Sequence, residues 1–565
     1  MIGRQTFLTR RRRRESPVSP EVETGRNRLL ITGILFSVAF SIVAIRLVDL
    51  TLFVKKTETR FSHSSAKNFL PANRADIIDR SGHLLATNLK TRSLYANPRL
   101  ISNPQKVANL LAQILPNLDK DGLSKLFNQD RDFVWIQRHL TPKLQNKVNR
   151  LGLPGLNFIQ EEKRVYPAGD LTAHLLGYTD TDNRGLAGIE RHFDQDLRSR
   201  QNALKLSIDI RVQQIMRSTL KAAKTKFQAI GASGIVMDVQ NGEVIAMVSL
   251  PDFDPHFPPG FNTNARFNRA TLGVYEMGST FKIFTAAMAL ESGIITLKGG
   301  YDAKRPIRIG RHTIRDYHPK NRWLSVPEIF IHSSNIGAAK MAQDVGSSSQ
   351  KNFLRKIGFL DSTSLEIPEI GFPITPGRWG KATTMTVGIG YGIAVSPIQL
   401  SAGVSAMVNG GIFFEPTLLK RSKIKTKRGI RVISKLTSKK IRRMLRLVVV
   451  RGTGRKAASP GYIVGGKTGT AEKVIGKKYK TKALISSFIG AFPMHSPRFV
   501  VFAMLDEPSG TKESFGYATG GWVAAPIVGS VISRIGPLLG VRPLDEKSPE
   551  IRAKLHLKIP AQKKG

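Results

Sequence analysis

The chain of 565 residues contains no cysteine, which excludes disulfides and cysteine-ligated metal sites and fits an oxidising compartment. Its eleven histidines show no H-x-x-x-H or comparable ligand spacing, so a metal is not indicated. Acidic residues are scarce: 41 Asp and Glu against 87 Lys and Arg leave a formal net charge of +46. Nucleic acid, anionic lipid or an anionic polymer could each answer such a charge, as could a generally basic solvated surface. Apart from Arg10 to Arg14 the basic residues are spread widely, and no RNA-binding aromatic signature, zinc-finger spacing or recognition-helix pattern accompanies them. Nucleic-acid binding is therefore set aside. No internal repeat is found.

Long hydrophobic runs are also missing, with one exception. Residues 1–28 are polar and arginine-rich, and Leu29 to Ile45 then carries no charge. Continued past Arg46 to Val54, the run is long enough to span a bilayer, with Arg46 snorkelling or facing a partner. The arginines before it predict a cytoplasmic amino end and export of everything after about residue 55. Arg46 stands where a cleaved signal peptide would need a small-x-small pattern, so an uncleaved anchor is expected.

At 41% apolar residues the rest can fold, and its length calls for two or three domains. Residues 55–225 read as a mixed α/β module without a catalytic constellation. In it NRADIIDRSG (73–82) predicts a short strand into a Ser-Gly turn, RVYPAG (164–169) a Pro-Gly turn, and GLAGIE (185–190) a glycine-shaped loop. Each of these could be ordinary punctuation. Asp209 to Phe227 reads as a helix, and SGIVMDV and EVIAMVS around Asn241-Gly242 as a hairpin. Helical and loop-rich material follows to about 460, including a basic loop from Arg421 to Lys435. Strand character returns at Tyr462 to Val464, Ala483 to Phe492 and Phe499 to Leu505, before a last helix from Trp522 to Ile535. Strands at both ends with helices between them predict one α+β domain over 226–540, its antiparallel sheet assembled from distant pieces and flanked by helices. A basic tail follows at 541–565, and 543–565 is expected to be disordered.

The chemistry centres on YEMGSTFKIFTAAMAL (275–290), which reads as a buried helix with Gly278 as a break before it and Ser279 as its cap. Residues three apart face the same way on a helix, so Ser279 and Lys282 have the geometry of a nucleophile and its base. The spacing alone is weak, since S-x-x-K also occurs at Ser64, Ser218, Ser348, Ser422 and Ser509. Two further motifs follow: HSSNIG (332–337), with an S-x-N at Ser333, Ser334 and Asn335, and GGKTGT (465–470), with a K-T-G at Lys467, Thr468 and Gly469. Singly, Ser279 reads as a helix cap, Ser333 as a turn residue and Lys467 as a solvated edge lysine. Together and in this order they form a catalytic set.

Each residue type has a reason to be there. Serine is a poor nucleophile until a base takes its proton, and Lys282 can do so only as a neutral amine. Its pKa in water of about 10.4 must fall to near neutrality, a difference of about 4 kcal/mol. Burial, the positive end of the helix dipole and a second ammonium at Lys467 all push that way. Ser333 can relay the proton to a leaving amine, and Asn335 can hold Lys282 and a substrate amide. The third motif belongs on a sheet edge, where Gly465, Gly466 and Gly469 let a peptide approach the backbone. Thr468 and Thr470 offer hydroxyls to a carboxylate, and the amides of Ser279 and Thr470 are candidate oxyanion donors. Asp316 and His318 in RDYHP suggest a Ser-His-Asp triad, but Lys282 already fills the base's place, so a loop role is expected for them.

S-x-x-K, S-x-N and K-T-G in this order resemble the signature of the penicillin-binding protein and serine β-lactamase superfamily. RADIIDRSG, RVYPAG, GLAGIE, GYGIAVSPIQL, GGKTGTAEK and MLDEP to ATGGWVAAP are similar to motifs of class B penicillin-binding proteins, specifically the septal cell-division transpeptidases as found in α-proteobacteria. Ser334 stands where some relatives carry aspartate. The resemblance implies an elongated non-catalytic periplasmic module and a transpeptidase domain held by a single anchor (29–54) in the bacterial inner membrane at the septum. It implies acyl transfer from D-alanyl-D-alanine stem peptides through Ser279, inhibition by β-lactams, and no cofactor. A membrane lipid II polymerase and other single-span division proteins are the implied partners. The alternatives are a D,D-carboxypeptidase or β-lactamase of the same superfamily, and a non-enzymatic scaffold or β-lactam sensor.

Overall fold

Phe499–Asp506, a strand in which every residue is buried, is the middle strand of a five-stranded sheet. The computed structural model describes residues 20–48, 74–260, 263–310, 312–421, 429–475, 478–557 of the chain. By internal contacts the chain divides into Met1–Phe69 and Leu70–Gly565.

In the first unit, helix α1 runs from Pro20 to Val48, with the side chains of 30–45 exposed. Among the described residues no helix is long and apolar enough to cross a membrane. The expected anchor (29–54) runs past the end of α1, and its last part lies outside the described residues, as do 1–19 of the basic tail.

The second unit begins with strands β1 (Ile77–Ile78), β2 (Leu84–Ala96), β3 (Val134–Leu140), β4 (Leu156–Val165) and β5 (Leu204–Lys205), joined in one sheet. The three motifs that read as punctuation meet here. The Glu190 carboxylate accepts from Arg74 Nε at 2.6 Å and from Arg164 Nε at 2.7 Å, and Arg74 also reaches Asp194 at 2.7 Å. All three of Arg74, Arg164 and Glu190 are buried. Ile77 and Leu85 join the same core as Phe281 and Phe284, so this module and the following domain share apolar packing.

Helix α2 (Ile210–Lys226), capped by Asp209, then precedes the hairpin β6 (Gly231–Asp238) and β7 (Val244–Leu250), all as expected. Helices α3 (Lys282–Glu291), α4 (Val326–His332), α5 (Asn335–Val345), α6 (Pro397–Val408) and α7 (Lys435–Arg451) follow among others. Strands β8 (Gly465–Ile475), β9 (Lys478–Phe492) and β10 (Phe499–Asp506) complete an antiparallel sheet in the order β8-β9-β10-β6-β7. Side chains alternate across it. Val500, Phe502 and Met504 join the core that holds α3, while Phe499, Val501, Ala503 and Leu505 join Met216 and Leu220 of α2 and Val528 and Ile532 of α8 (Ala524–Leu538).

Three expectations are corrected. Tyr462 to Val464 is not a strand: β8 starts at Gly465, because Ala491 and Gly490 pair with its glycines despite their poor strand propensity. The loop expected up to Lys435 ends earlier, with Ile430–Arg431 paired to Ile412–Phe413 and α7 starting at Lys435; residues 422–428 lie outside the described residues. The tail expected to be disordered forms α9 (Pro549–Leu555), which buries Ile551 and Leu555, one turn apart, in the main core. Arg443 of α7 donates to the Lys554 carbonyl at 3.1 Å. Residues 558–565 lie outside the described residues.

Candidate active site

Ser279 lies in a 3₁₀ turn, Gly278–Phe281, and α3 begins at Lys282 with no side-chain cap. This corrects the expected cap: the Ser279 hydroxyl is not spent on backbone amides. The turn is fixed from two sides. The Gly278 N–H donates to the Gly390 carbonyl at 3.2 Å, and Tyr275 exchanges backbone hydrogen bonds with Val395, both at 3.0 Å, so the GYGIAVS segment braces it. A Cβ on Gly278 would stand 2.6 Å from the Thr470 carbonyl oxygen, which places the turn against β8.

Lys282 is the first residue of α3 and is buried in the helix's apolar surroundings, with Phe281, Phe284 and Phe359 in mutual ring contact behind it. Its Nζ donates to Ser279 Oγ at 3.0 Å, to the Ser333 carbonyl at 2.6 Å, to Ser333 Oγ at 3.2 Å and to Asn335 Oδ1 at 2.6 Å. From the other side Lys467 Nζ reaches the same Ser333 Oγ at 2.9 Å. One hydroxyl thus bridges two buried amines. Burial first, then the charge of Lys467, holds Lys282 well below the ordinary lysine value, against a smaller opposing pull from Asp316. Burial pushes Lys467 down to about 7.

Local geometry aims Ser333. It ends α4 in the left-handed region at φ 56°, a conformation costing a non-glycine residue roughly 1–2 kcal/mol, so the surroundings must over-determine it. Ser334 caps α5 through Gly337 N–H at 3.1 Å, which puts Asn335 at the helix's first position. The cap is tied down by Asp316: its carboxylate accepts from the Ser334 hydroxyl at 2.7 Å and from the Ile336 N–H at 2.9 Å. The Asn335 amide nitrogen donates to the neighbouring Arg315 carbonyl at 2.8 Å. Asp316 therefore has the loop role expected, and sequence reasoning missed that its loop holds the second motif. The only signal was an acid in RDYHP.

Strand β8 is the sheet's edge. Thr468 and Thr453 share a hydroxyl hydrogen bond at 2.8 Å, and the Thr470 hydroxyl accepts from the Gly520 N–H at 3.0 Å. Gly469 is needed for close approach, since a Cβ there would stand 2.4 Å from Ser487 Oγ and 2.7 Å from the Met277 carbonyl. The strand thus presses directly on the Ser279 turn. Between them opens a cavity of about 770 Å³ lined by Ser279, Ser333, Asn335, Thr468 and Thr470, with His318 also at its wall. Of the eight expected site residues, Ser279, Ser333, Asn335, Thr468 and Thr470 line this cleft, Lys282 and Lys467 reach it through the Ser279 and Ser333 hydroxyls, and Gly469 lies in β8 between the two threonines. Thr453, Gly390, Gly520, Trp522 and Glu472 were not singled out from sequence. The arrangement lets a neutral Lys282 amine take the Ser279 proton, becoming an ammonium beside the activated oxygen, and lets a peptide enter along an open strand. No group of His, Cys, Asp and Glu among the described residues could hold a metal ion.

Comparison with known proteins agrees with this geometry. Residues 232–533 match the penicillin binding protein transpeptidase domain, and 69–225 the penicillin-binding protein dimerisation domain. A probable peptidoglycan D,D-transpeptidase FtsI of Caulobacter vibrioides is 39% identical over 483 residues, 83% of this chain and 82% of that protein. The peptidoglycan D,D-transpeptidase FtsI of Escherichia coli is 28% identical over 556 residues, 92% of each chain. Among solved structures, penicillin binding protein 3 of Mycobacterium tuberculosis complexed with aztreonam shares the fold at a TM-score of 0.66, with 24% identity, 84% of this chain and 98% of that one.

Proposed function

The chain belongs to the penicillin-binding protein transpeptidase family, and from that premise we propose that it is a class B peptidoglycan D,D-transpeptidase that cross-links stem peptides at the division septum. The observation that carries the proposal is the hydroxyl of Ser333 held between Lys282 and Lys467 while Lys282 also touches Ser279 Oγ. Neutral Lys282 takes the Ser279 proton as Oγ attacks the carbonyl carbon of the penultimate D-alanine. The amides of Ser279 and Thr470 receive the oxyanion, the hydroxyls of Thr468 and Thr470 the terminal carboxylate. The C–N bond breaks as the proton returns through Ser333 to the leaving D-alanine amine. A stem-peptide amine then attacks the acyl ester, forms the new amide bond and releases Ser279, its proton passing back along the same route. β-Lactams acylate the same serine.

The proposal extends to placement. Residues 29–54 anchor the chain in the bacterial inner membrane, with the amino end cytoplasmic and the catalytic domain periplasmic. The membrane-proximal module meets a lipid II polymerase and other single-span division proteins. The uncharged run from Leu29 to Ile45 and the arginines before it support this reading.

The test is to label membranes with a fluorescent penicillin and map the modified residue. Label on Ser279, absent in Ser279→Ala, is the expected result. Label on another serine, or septation supported by Ser279→Ala in cells lacking the parent protein, would refute the proposal. A penicilloyl-enzyme lifetime of minutes or less would favour a hydrolase instead.

A further inference from the structure

The cleft is electrically lopsided. Its described lining includes two basic side chains, Arg455 and Lys456, and a single carboxylate, Glu472. The cations belong to the Thr468 end, where Thr453 bonds Thr468 and Lys456 Nζ lies 4.1 Å from the Trp522 ring centroid. Glu472 stands four residues farther along β8, about 14 Å in an extended strand. Strand alternation sets Thr468, Thr470 and Glu472 on one face. Glu472 is partly buried, and the neighbouring Lys473 is already tied to Asp506 at 2.8 Å and Glu507 at 2.7 Å. The Tyr391 hydroxyl, which also lines the cleft, is pushed up to about 12 by burial first and then by Glu472 and Glu276.

Strand direction says which part of a substrate reaches that end. A peptide adding antiparallel to β8 has its carboxyl end at Thr468 and Thr470 and its amino side toward Glu472. The leaving D-alanine then lies by Arg455 and Lys456, and the body of the donor runs along Glu472 and Leu484. The cross-linking amine belongs to a stem peptide, and donor and acceptor are copies of one repeating unit, so a donor stem carries the same free amine upstream of its scissile bond. We propose that Glu472 is a specificity-determining residue that receives this side-chain ammonium of the donor stem peptide. The inference rests on the transpeptidase reading and adds to it the charge that the donor must carry.

The test uses acylation kinetics of the full chain with a penicillin whose side chain ends in a primary ammonium, and with its N-acetylated counterpart. At low salt the parent protein should react about three- to fivefold faster with the ammonium form, as expected for a partly exposed ion pair. Added salt should narrow the gap. Glu472→Gln should remove the preference and Glu472→Lys reverse it, with both variants keeping the melting profile of the parent. A preference that survives in Glu472→Gln, or none in the parent, would overturn this assignment alone. Failure of benzylpenicillin to acylate the parent would overturn the transpeptidase reading, and this inference with it.

Discussion

Two buried lysines sharing one hydroxyl would ordinarily be an energetic fault, and here they define the site. Holding Lys467 near 7 rather than 10.5 disfavours its ammonium by on the order of 5 kcal/mol. Lys282 is depressed by the same burial and by Lys467 itself. Because Lys282 must be neutral to act, β-lactam acylation should rise with pH through its depressed pKa. Lys282→Ala should lower the acylation rate by about 10²–10⁴, with the melting profile of the parent retained; an unchanged rate would remove Lys282 from the base role. Lys467→Met removes a neighbouring positive charge, so the Lys282 pKa climbs and the rising limb should move to higher pH. A limb that stays in place would show that burial alone sets Lys282. A second consequence concerns stability. Between about 7 and 10.5 the unfolded chain holds a proton on Lys467 that the native state has lost, so stability gains from this lysine as pH rises across that window. Denaturant melts of Lys467→Met should show a flatter pH dependence there. The motif residues were legible in sequence because each chemical role demands a residue type. Asp316 and Glu472 were not, since an acid in a loop or on a strand carries no such mark until its neighbours are known. The other Ser-Lys spacings within the described residues separate on burial: Lys221, Lys351 and Lys512 are exposed.

At the level of elements, the site is a contact between a 3₁₀ turn, a helix junction and a sheet edge, and each was harder to read than the residues it carries. The hairpin and α2 were legible because their periods and turn residues agree with their environment. The strand carrying the third motif was legible too, but its apolar approach from Tyr462 to Val464 was not told from strand, because the pairing with β9 begins only at Gly465. α9 was hidden by its flanking charge, since two apolar residues one turn apart acquire meaning only against a core. The buried Arg74, Glu190 and Arg164 show the same limit. Three turn-like motifs carried no sign that they meet. Truncating the shared acid leaves two buried guanidiniums without their partner, so Glu190→Ala should lose about 3–5 kcal/mol in denaturant unfolding. Penicillin acylation of the protein that remains folded should persist, because the cluster does not line the cleft. A loss below about 1 kcal/mol would mean that these ions hold nothing together.

For the whole molecule, the surplus of positive charge is sharpened by where the acids go. Glu243 lies buried under Arg80 and Lys420, and Asp506 takes both Arg269 and Lys473. Part of the scarce negative charge is therefore consumed inside the fold. Unit Leu70–Gly565 contains every described residue of the cleft and the core that holds α3, so acylation is expected to need nothing from the segment before it. The proposed anchor makes a separable demand. A full chain held by a hydrophobic span should stay with membranes through high salt and alkaline carbonate, conditions that strip proteins bound by charge alone. Deleting residues 1–54 should release the protein while leaving benzylpenicillin acylation at the parent rate. If the full chain instead came off with salt, its +46 charge on anionic lipid would account for the attachment and the anchor assignment would fall. If the shortened chain lost acylation as well as attachment, the catalytic unit would depend on its first segment after all.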